Sequence, residues 1–319
     1  MPGTTVAAGA RPRRGLTALG EQLVPVLYQH RLMTTRQLQQ LLQPHTTYPV
    51  YLRRQLARLR DLGLVAATSR NRGGGQGELA WYCTTAGAEV VEAAGELTVR
   101  AYRMSEQAAA SQLQEHTIAV NDTGLAFVAA ARAAGDECGP LDWEAELAHR
   151  VRDGDSRIGD DAFLVPDAVL RYTHRTHKQT VAAFFLEIDR ATMSPGRLVD
   201  KLRVYARYQS YVPTLSAGRG RAAGQVGAES WRGRYSAFPP VLFVFAGASA
   251  AALARRTSDV RALAGSDVRL RRAAQRLQAG VTTLHHLQSA GPWAPVVTPV
   301  FGTDPTPRCA FDAVWTVDR

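Results

Sequence analysis

Three carboxylates and one lysine in the middle of the chain have a spacing that could hold a metal ion. Asp167 lies in a β-rich run, FLVPDAVLRY, and Glu187 and Asp189 end a second run, TVAAFFLEIDR. Alternate residues of a strand share a face, so Glu187 and Asp189 should lie together, and antiparallel pairing of the two runs would add Asp167. Lys201 follows in the next helix. A hard divalent cation bound through oxygens would relieve the repulsion among these carboxylates.

The chemistry that such a site could support is metal-dependent hydrolysis of a phosphodiester. Asp167 and Glu187 would hold Mg²⁺ or Mn²⁺, which polarises the phosphate and generates a bound hydroxide. Lys201 would orient the water or stabilise the charge that builds on the phosphate. Asp189 would be a third ligand or would hold a basic neighbour in place. In the alternative interpretation the carboxylates pair with nearby basic side chains and only stabilise the loop; these are Arg190, Arg197 and Arg203.

The elements around these residues predict a mixed sheet flanked by helices. A helical stretch over 105–134 and a strand over 143–151 precede the two β-rich runs, which a polar turn, THRTHKQ, connects. A helix over 197–211 follows, then a Gly-, Ala- and Arg-rich segment over 213–235 that predicts a flexible surface loop. The apolar run VLFVFAG predicts a central strand, and APVVTPVF and FDAVW predict edge strands. We assign residues 101–319 to this domain.

The first hundred residues predict a separate, smaller domain over 16–100, after a basic disordered tail over 1–15. Leu16 to His30 has helical periodicity, TTRQLQQLL predicts a second helix with a threonine cap, and Tyr48 to Leu62 predicts a third. Two short strands then flank the loop SRNRGGGQGE. The segments RRQLARLRDLGLV and WYCTTAGAEVV resemble bacterial winged-helix domains. In such a domain the third helix would be the recognition helix and the glycine-rich loop would be the wing tip.

Five arginines of this domain are candidates for contact with double-stranded DNA. Arg53, Arg54 and Arg58 would meet phosphates or base edges from the third helix, and Arg70 and Arg72 would do so from the wing. The alternative interpretations are a solvated arginine face and a winged helix used for protein contacts.

Charge favours a polyanionic partner. The 319 residues carry a net charge of +10, and residues 1–75 alone hold eleven arginines against Glu21 and Asp61. Three cysteines without CxxC spacing fit a reducing cytoplasm, and they fit neither a zinc site nor a disulfide framework. The longest apolar run is too short to span a membrane, and the amino terminus has no signal-peptide core. We therefore expect a soluble cytoplasmic protein without a membrane partner.

The second domain resembles the PD-(D/E)xK, or restriction-endonuclease-like, fold. The resemblance rests on the element order, on Pro166-Asp167 in one strand and on Glu187 in the next. Asp189 stands where that family has its lysine, and some members move the lysine to the next helix, where Lys201 stands. Glu115 matches an additional acidic position. Because the usual lysine is missing and a basic loop is adjacent, we favour a structural role for the carboxylates over catalysis.

Taken together, the chain resembles the replication-relaxation family of plasmids and integrative elements. The resemblance covers roughly residues 16–290 and rests on the winged helix, His116 to Asn121, VPDAVL, FFLEIDRAT, KLRVYARY and FPPVLFVF. It implies an α/β (α+β) protein with a part in plasmid replication or DNA relaxation. Three functions remain open: a non-catalytic DNA-binding accessory protein, a divalent-metal nuclease or nickase, and a transcriptional regulator. A homodimer and contacts with other replication or transfer proteins remain open as well.

Two further patterns favour structural roles. His174 and His177 lie in the polar turn, where a solvated cationic turn is favoured over a metal site. Tyr205, Tyr208 and Tyr211 recur along one helix, and tyrosine is the nucleophile of some DNA-cutting enzymes. Packing in the core is the favoured interpretation.

Overall fold

This computed structural model describes residues 15–70, 77–100, 103–111, 113–154, 161–175, 180–214 and 227–312. Several sequence predictions concern residues outside these ranges: nearly all of the basic tail, Arg72 with the rest of the wing tip, His177, the centre of the 213–235 segment and the end of FDAVW.

The described helices precede, interrupt and follow the strands along the chain. They are α1 (Ala18–His30), α2 (Thr35–Leu42), α3 (Val50–Asp61), α4 (Thr85–Ala94), α5 (Glu106–Ala109), α6 (Leu113–Ala134), α7 (Pro195–Ser210), α8 (Ala250–Ser266), α9 (Val268–Ala273) and α10 (Leu284–Ala290), with a 3-10 turn at Ser230–Gly233.

The described strands form three sheets. They are β1 (Met33–Thr34), β2 (Val65–Arg70), β3 (Glu78–Cys83), β4 (Trp143–Ala145), β5 (His149–Arg150), β6 (Phe163–Leu164), β7 (Ala168–His174), β8 (Thr180–Asp189), β9 (Val241–Phe245), β10 (Ala279–Thr283) and β11 (Thr298–Pro299). The sheet orders are β1-β3-β2, β11-β10-β9-β8-β7-β4 and β5-β6. The predicted α+β class is confirmed.

The first part of the amino-terminal region folds as three helices and a small antiparallel sheet; α2 begins where the sequence predicts, and α1 and α3 each begin two residues later than predicted. Thr34 caps α2 in a capping box, accepting from the backbone N–H of Gln37, whose side chain in turn accepts from the N–H of Thr34. Three leucines of α3 are buried: Leu52, Leu56 and Leu59. The end residues Val50 and Leu62, which we expected on the same apolar face, are instead 60% and 53% exposed.

The six-stranded sheet carries the predicted β7–β8 hairpin, paired antiparallel from Ala168↔Leu186 to His174↔Thr180. β8, β9 and β10 run parallel, so Asp189, Phe245 and Thr283 end at one edge of the sheet. One face packs on α7 and α8, and the other on α6 and α10. The parallel strands are almost wholly apolar because they are covered on both faces.

The amino-terminal region and the six-stranded sheet share one continuous core. The His30 ring stacks on Trp143 with centroids 3.9 Å apart, and the Gln29 amide donates to the Leu141 carbonyl at 2.7 Å. Asn121 of α6 donates to the Leu32 carbonyl at 2.8 Å and accepts from the Trp143 indole at 3.1 Å. A buried polar network of this kind fixes one orientation of the two regions.

Gly124 is expected to be the most sensitive glycine of this contact. A Cβ on Gly124 would lie 2.6 Å from the Trp143 ring, so Gly124→Ala should lower the free energy of unfolding by about 1 to 3 kcal/mol through overpacking. Gly265 of α8 is the matched control, since a Cβ there meets no atom within 4 Å among the described residues. Gly265→Ala should leave stability unchanged or raise it by about 0.5 kcal/mol or more. Urea unfolding of both variants checks this, and equal effects would contradict it.

Candidate functional site

Three of the four residues predicted to form the site converge at the end of the β7–β8 hairpin that lies opposite its turn. Asp167 directly precedes β7, Glu187 lies three residues from the start of the β8–α7 loop, and Lys201 projects from α7. Ser194 caps α7 and Pro195 occupies its first turn, which fixes where the helix begins. Lys201 and Tyr205 are one turn apart, so both side chains reach the same strand.

Glu187 is the buried centre of the cluster, with only 1% of its side chain exposed. One carboxylate oxygen accepts from the Lys201 ammonium and the other from the Tyr205 hydroxyl, the latter at 2.6 Å. Burial raises the pKa of Glu187 to about 7, against the opposing effect of the Lys201 charge; the nearby Asp167 charge adds to the rise. Glu187 therefore changes its charge near neutral pH.

Asp167 has two different partners. Its carboxylate lies 3.3 Å from Nε2 of His116 on α6 and accepts from the backbone N–H of Ile188 at 2.7 Å. Burial opposes ionisation of Asp167, but the His116 hydrogen bond and the Lys201 charge together hold its pKa below the ordinary value. The same hydrogen bond is the main reason that the pKa of His116 is raised.

Asp189 shares a sheet face with Glu187, as strand periodicity predicts, but it pairs with a different helix. One of its oxygens accepts from the Arg256 guanidinium of α8, and the other accepts from the backbone N–H groups of Thr192 and Met193 at 3.2 and 3.3 Å. Arg256 also donates to the Met193 carbonyl. Asp189 thus ties the β8–α7 loop to α8.

The carboxylates in this arrangement do not fit a divalent cation. All six of their oxygens already accept from a donor, and two of the donors are the cations Lys201 and Arg256. In the ranges that the structure describes, no group of three or more His, Cys, Asp or Glu side chains is arranged to hold a metal ion. Binding of Mg²⁺ or Mn²⁺ by Asp167 and Glu187 stays a prediction, and it would require Lys201 or Tyr205 to release Glu187.

The cluster should make stability depend on pH in a defined direction. Glu187 has a folded pKa near 7 against an ordinary value of 4.5, and that of His116 is raised above 6.5. Both groups bind protons more tightly when folded, so their contribution is present at low pH and is lost as pH rises through their folded values. We expect the free energy of unfolding to fall between about pH 5 and pH 8. For Glu187→Gln, urea unfolding at several pH values should show a smaller fall in the free energy of unfolding over the lower part of this pH range. An unchanged dependence on pH would contradict the raised pKa of Glu187.

The arginines of α3 that are predicted to contact DNA lie on its exposed face, in a different environment from the residues of the carboxylate cluster. Arg53 and Arg54 are exposed, and neither side chain forms a hydrogen bond or ion pair with another described residue. Arg58 is half-buried and donates to the Gly15 carbonyl at 3.1 Å. Tyr48 and Tyr51 stand at the start of this face, 76% and 44% exposed. The face is basic and aromatic together, which is a combination that nucleic acids bind.

Arg70 is not on an exposed wing face. Its residue is only 4% exposed, and its guanidinium binds both oxygens of Glu115 at 2.6 and 2.8 Å and lies 3.4 Å from Glu78. This bidentate pair of a buried arginine and a half-buried glutamate also removes Glu115 from the carboxylate cluster that we expected it to join. Adjacent residues of a helix point about 100° apart, so Glu115 faces Arg70 in the β2–β3 hairpin while His116 faces Asp167 beside β7.

Sequence reasoning missed two members of the site and their roles. His116 was noted only as part of a family segment, although a helix that packs on the hairpin brings its Nε2 to Asp167. Arg256 had no local signal, because it lies 67 residues after Asp189. Tyr205 was assigned to the core, where it is fully buried; its spacing of four residues from Lys201 is the signal that links its hydroxyl to Glu187.

The fold and the site define an α+β protein with a helical amino-terminal region and a mixed sheet holding a saturated carboxylate cluster. This chain belongs to the replication-relaxation family, whose model matches residues 25–236. Membership indicates a part in the replication or relaxation of plasmids or other mobile DNA. No curated protein and no solved structure matches the chain significantly. None of the described helices is both long and apolar enough to cross a membrane.

Proposed function

We propose that this protein binds double-stranded DNA through α3 as a non-catalytic component of plasmid or mobile-element replication. The observation that carries the proposal is the exposed pair Arg53 and Arg54 on a helix whose opposite face is anchored in the core. The order helix, short strand, helix, helix and β-hairpin supports a winged helix-turn-helix, a motif whose recognition helix enters the major groove.

The electrostatics of the region support contact with phosphates. Arg60 adds a third exposed guanidinium to α3. The only acidic residue of this helix is Asp61, at its last position. Basic residues near a helix carboxyl end also stabilise the helix itself. Arg58 and Arg72 remain candidates for the same interface, whereas the buried Arg70 supports the hairpin from within.

Salt dependence tests the proposal. The full chain would be titrated against a fluorescent duplex by anisotropy at several salt concentrations. A protein that neutralises Z phosphates loses affinity with a slope of about −0.9Z in a plot of log K against log salt concentration. We expect a slope of about −4 or steeper for an interface of this kind. A slope near zero would remove DNA binding and leave a protein-binding module.

The saturated carboxylate cluster supports a structural role for Asp167, Glu187 and Asp189. Each carboxylate joins two elements: Asp167 links β7 to α6, Glu187 links β8 to α7, and Asp189 links β8 to α8. Such pairs hold the helices against the sheet, and their removal leaves buried charges without partners.

Metal-dependent DNA cleavage is the second candidate, and the convergence of Asp167, Glu187 and Lys201 favours it. The test is nicking of a supercoiled plasmid with Mg²⁺, Mn²⁺ or EDTA by the wild type and by Asp167→Ala, Glu187→Ala and Lys201→Ala. Nicking that needs the metal and disappears in all three variants would establish a nuclease. DNA binding without nicking would leave the non-catalytic proposal standing.

A further inference from the structure

Two neighbouring parallel strands send the chain to opposite faces of the six-stranded sheet. After β9, which ends at Phe245, the chain enters α8 on the face that α7 also covers. After β10, which ends at Thr283, it enters α10 on the face that α6 covers. The two connections therefore diverge at the carboxyl ends of the strands. In open α/β sheets, the crevice at such a position is where ligands bind.

A cleft of about 480 Å³ lies at this position, and its volume is in the range of small-molecule sites. One wall is a single face of α8, because its lining residues recur every three or four positions from Ala250 to Arg261. The end of β10 and the start of α10 contribute to the other side. The apolar part of the lining consists of Leu253, Ala254, Val281, Val296 and Pro305. Such a wall can cover the ring of a ligand.

The charged and titratable lining is basic. Arg261, His285 and His286 line the cleft, and none of the described residues that line it is Asp or Glu. The Arg261 guanidinium donates to the Pro299 carbonyl at 2.8 Å and to the Gly302 carbonyl at 3.1 Å. Both of these partners are neutral, so they fix the guanidinium without neutralising its charge. The cleft therefore favours an anionic ligand.

Hydroxyl groups of the same cleft offer both acceptors and donors. The residues that carry them are Thr257, Ser258, Thr283 and Thr298. The Thr257 hydroxyl donates to the Leu253 carbonyl at 3.0 Å, which leaves its oxygen able to accept. The Thr283 oxygen accepts from the backbone N–H of His286 at 3.1 Å, a bond that does not use the proton of Thr283. The exposed rings of His285 and His286, with centroids 6.2 Å apart, add faces on which a base can stack.

We propose that this cleft binds a nucleotide, either free or as part of a DNA strand. The basic lining balances the phosphate charge, the hydroxyls bind the sugar and phosphate oxygens, and the apolar wall with the histidine rings covers the base. The inference goes beyond DNA binding through α3, since the cleft contains no residue of the amino-terminal region.

The first experiment titrates the full chain with ADP, adenosine and inorganic pyrophosphate in a calorimeter. We expect ADP to bind at least about tenfold more tightly than adenosine or pyrophosphate, because it joins a base and a phosphate in one molecule. ADP that binds no more tightly than pyrophosphate would show only a general attraction for anions and would overturn the proposal. No binding of ADP would overturn it as well.

Competition identifies the source of the nucleotide. A single-stranded pentanucleotide is added to the protein with fluorescent ADP in place. Displacement of ADP at pentanucleotide concentrations below those that unlabelled ADP requires would identify a DNA strand as the ligand. Displacement that requires more pentanucleotide than ADP would identify the free nucleotide. Both outcomes support a nucleotide site.

A variant that fills the cleft locates the site. Ala254 is exposed on α8 and lines the cleft, so Ala254→Trp should weaken ADP binding about tenfold or more without disturbing the core. Ala262 is the matched control, since it is exposed on the same helix but is not part of the cleft. Ala262→Trp should leave ADP binding unchanged. Urea unfolding is the folding control for both proteins.

A charge variant tests recognition of the phosphate. Ser258→Glu places an anion in the cleft and should weaken ADP about threefold or more while it changes adenosine little. Ser289→Glu, at an exposed position of α10 outside the cleft, should change neither. ADP binding that survives both Ala254→Trp and Ser258→Glu would overturn the proposal. That result would leave DNA binding through α3 untouched, because the salt dependence of duplex binding measures it separately.

Discussion

Replacing Arg53 and Arg54 together with alanine should reduce the affinity for duplex DNA by roughly 60-fold at 0.1 M salt, if each arginine contacts one phosphate. It should also make the slope of log K against log salt concentration shallower by about 2, because two fewer counterions are released. Stability should change little, since both side chains are exposed and have no partner among the described residues. Anisotropy titration at several salt concentrations measures both quantities.

The matched control for this pair is Arg271 and Arg272 of α9. They are also adjacent, helical and exposed, so their replacement by alanine removes the same charge from the protein. If non-specific attraction by net charge explained DNA binding, both double variants would lose affinity equally. We expect the α9 variant to retain nearly all of its affinity and its salt slope.

Lys201→Met should be among the most destabilising single substitutions where α7 packs on the sheet. It leaves the Glu187 carboxylate, 1% exposed, without its cation. Removing one partner of a buried pair costs about 3 to 5 kcal/mol, and partial exposure of Lys201 reduces this to about 2 to 4 kcal/mol at about pH 8. At low pH the loss should shrink, because Glu187 is then protonated and neutral in both proteins.

The double variant Glu187→Gln with Lys201→Met separates a structural pair from a catalytic one. A neutral amide can still accept from the Tyr205 hydroxyl, so much of the lost stability should return at about pH 8. Urea unfolding of the four proteins of this cycle gives the coupling energy. A Lys201→Met variant as stable as the wild type would show that the pair does not hold α7 to β8.

The local parts of this fold could be predicted, because local pattern determines them. Two β-rich apolar runs joined by a polar turn predicted the β7–β8 hairpin, and the threonine cap predicted for the second helix is Thr34. The same reasoning brought Lys201 to Glu187, since a helix that follows a strand after a short loop packs back on it.

Contacts between distant segments could not be predicted. Glu115 and His116 are neighbours in α6, but Glu115 binds Arg70 and His116 binds Asp167. A small error in the predicted helical register would exchange the two. Arg70 ends a strand and looks like a wing residue in the sequence; only the fold reveals that it is buried against Glu115, 45 positions away. Gln29 resembles a surface residue, but it is buried against Leu141. Polar residues whose partners lie far along the chain give no periodic signal.

The most direct test of DNA binding through α3 is site-specific photocrosslinking. A benzophenone amino acid would replace Tyr51, which is 44% exposed beside the arginine face, and, in a second protein, Val268 of α9, which is 52% exposed. We predict that irradiation with a duplex crosslinks DNA from position 51 and not from position 268. Crosslinking from position 268 alone would place the DNA on the sheet region and contradict the assignment of α3.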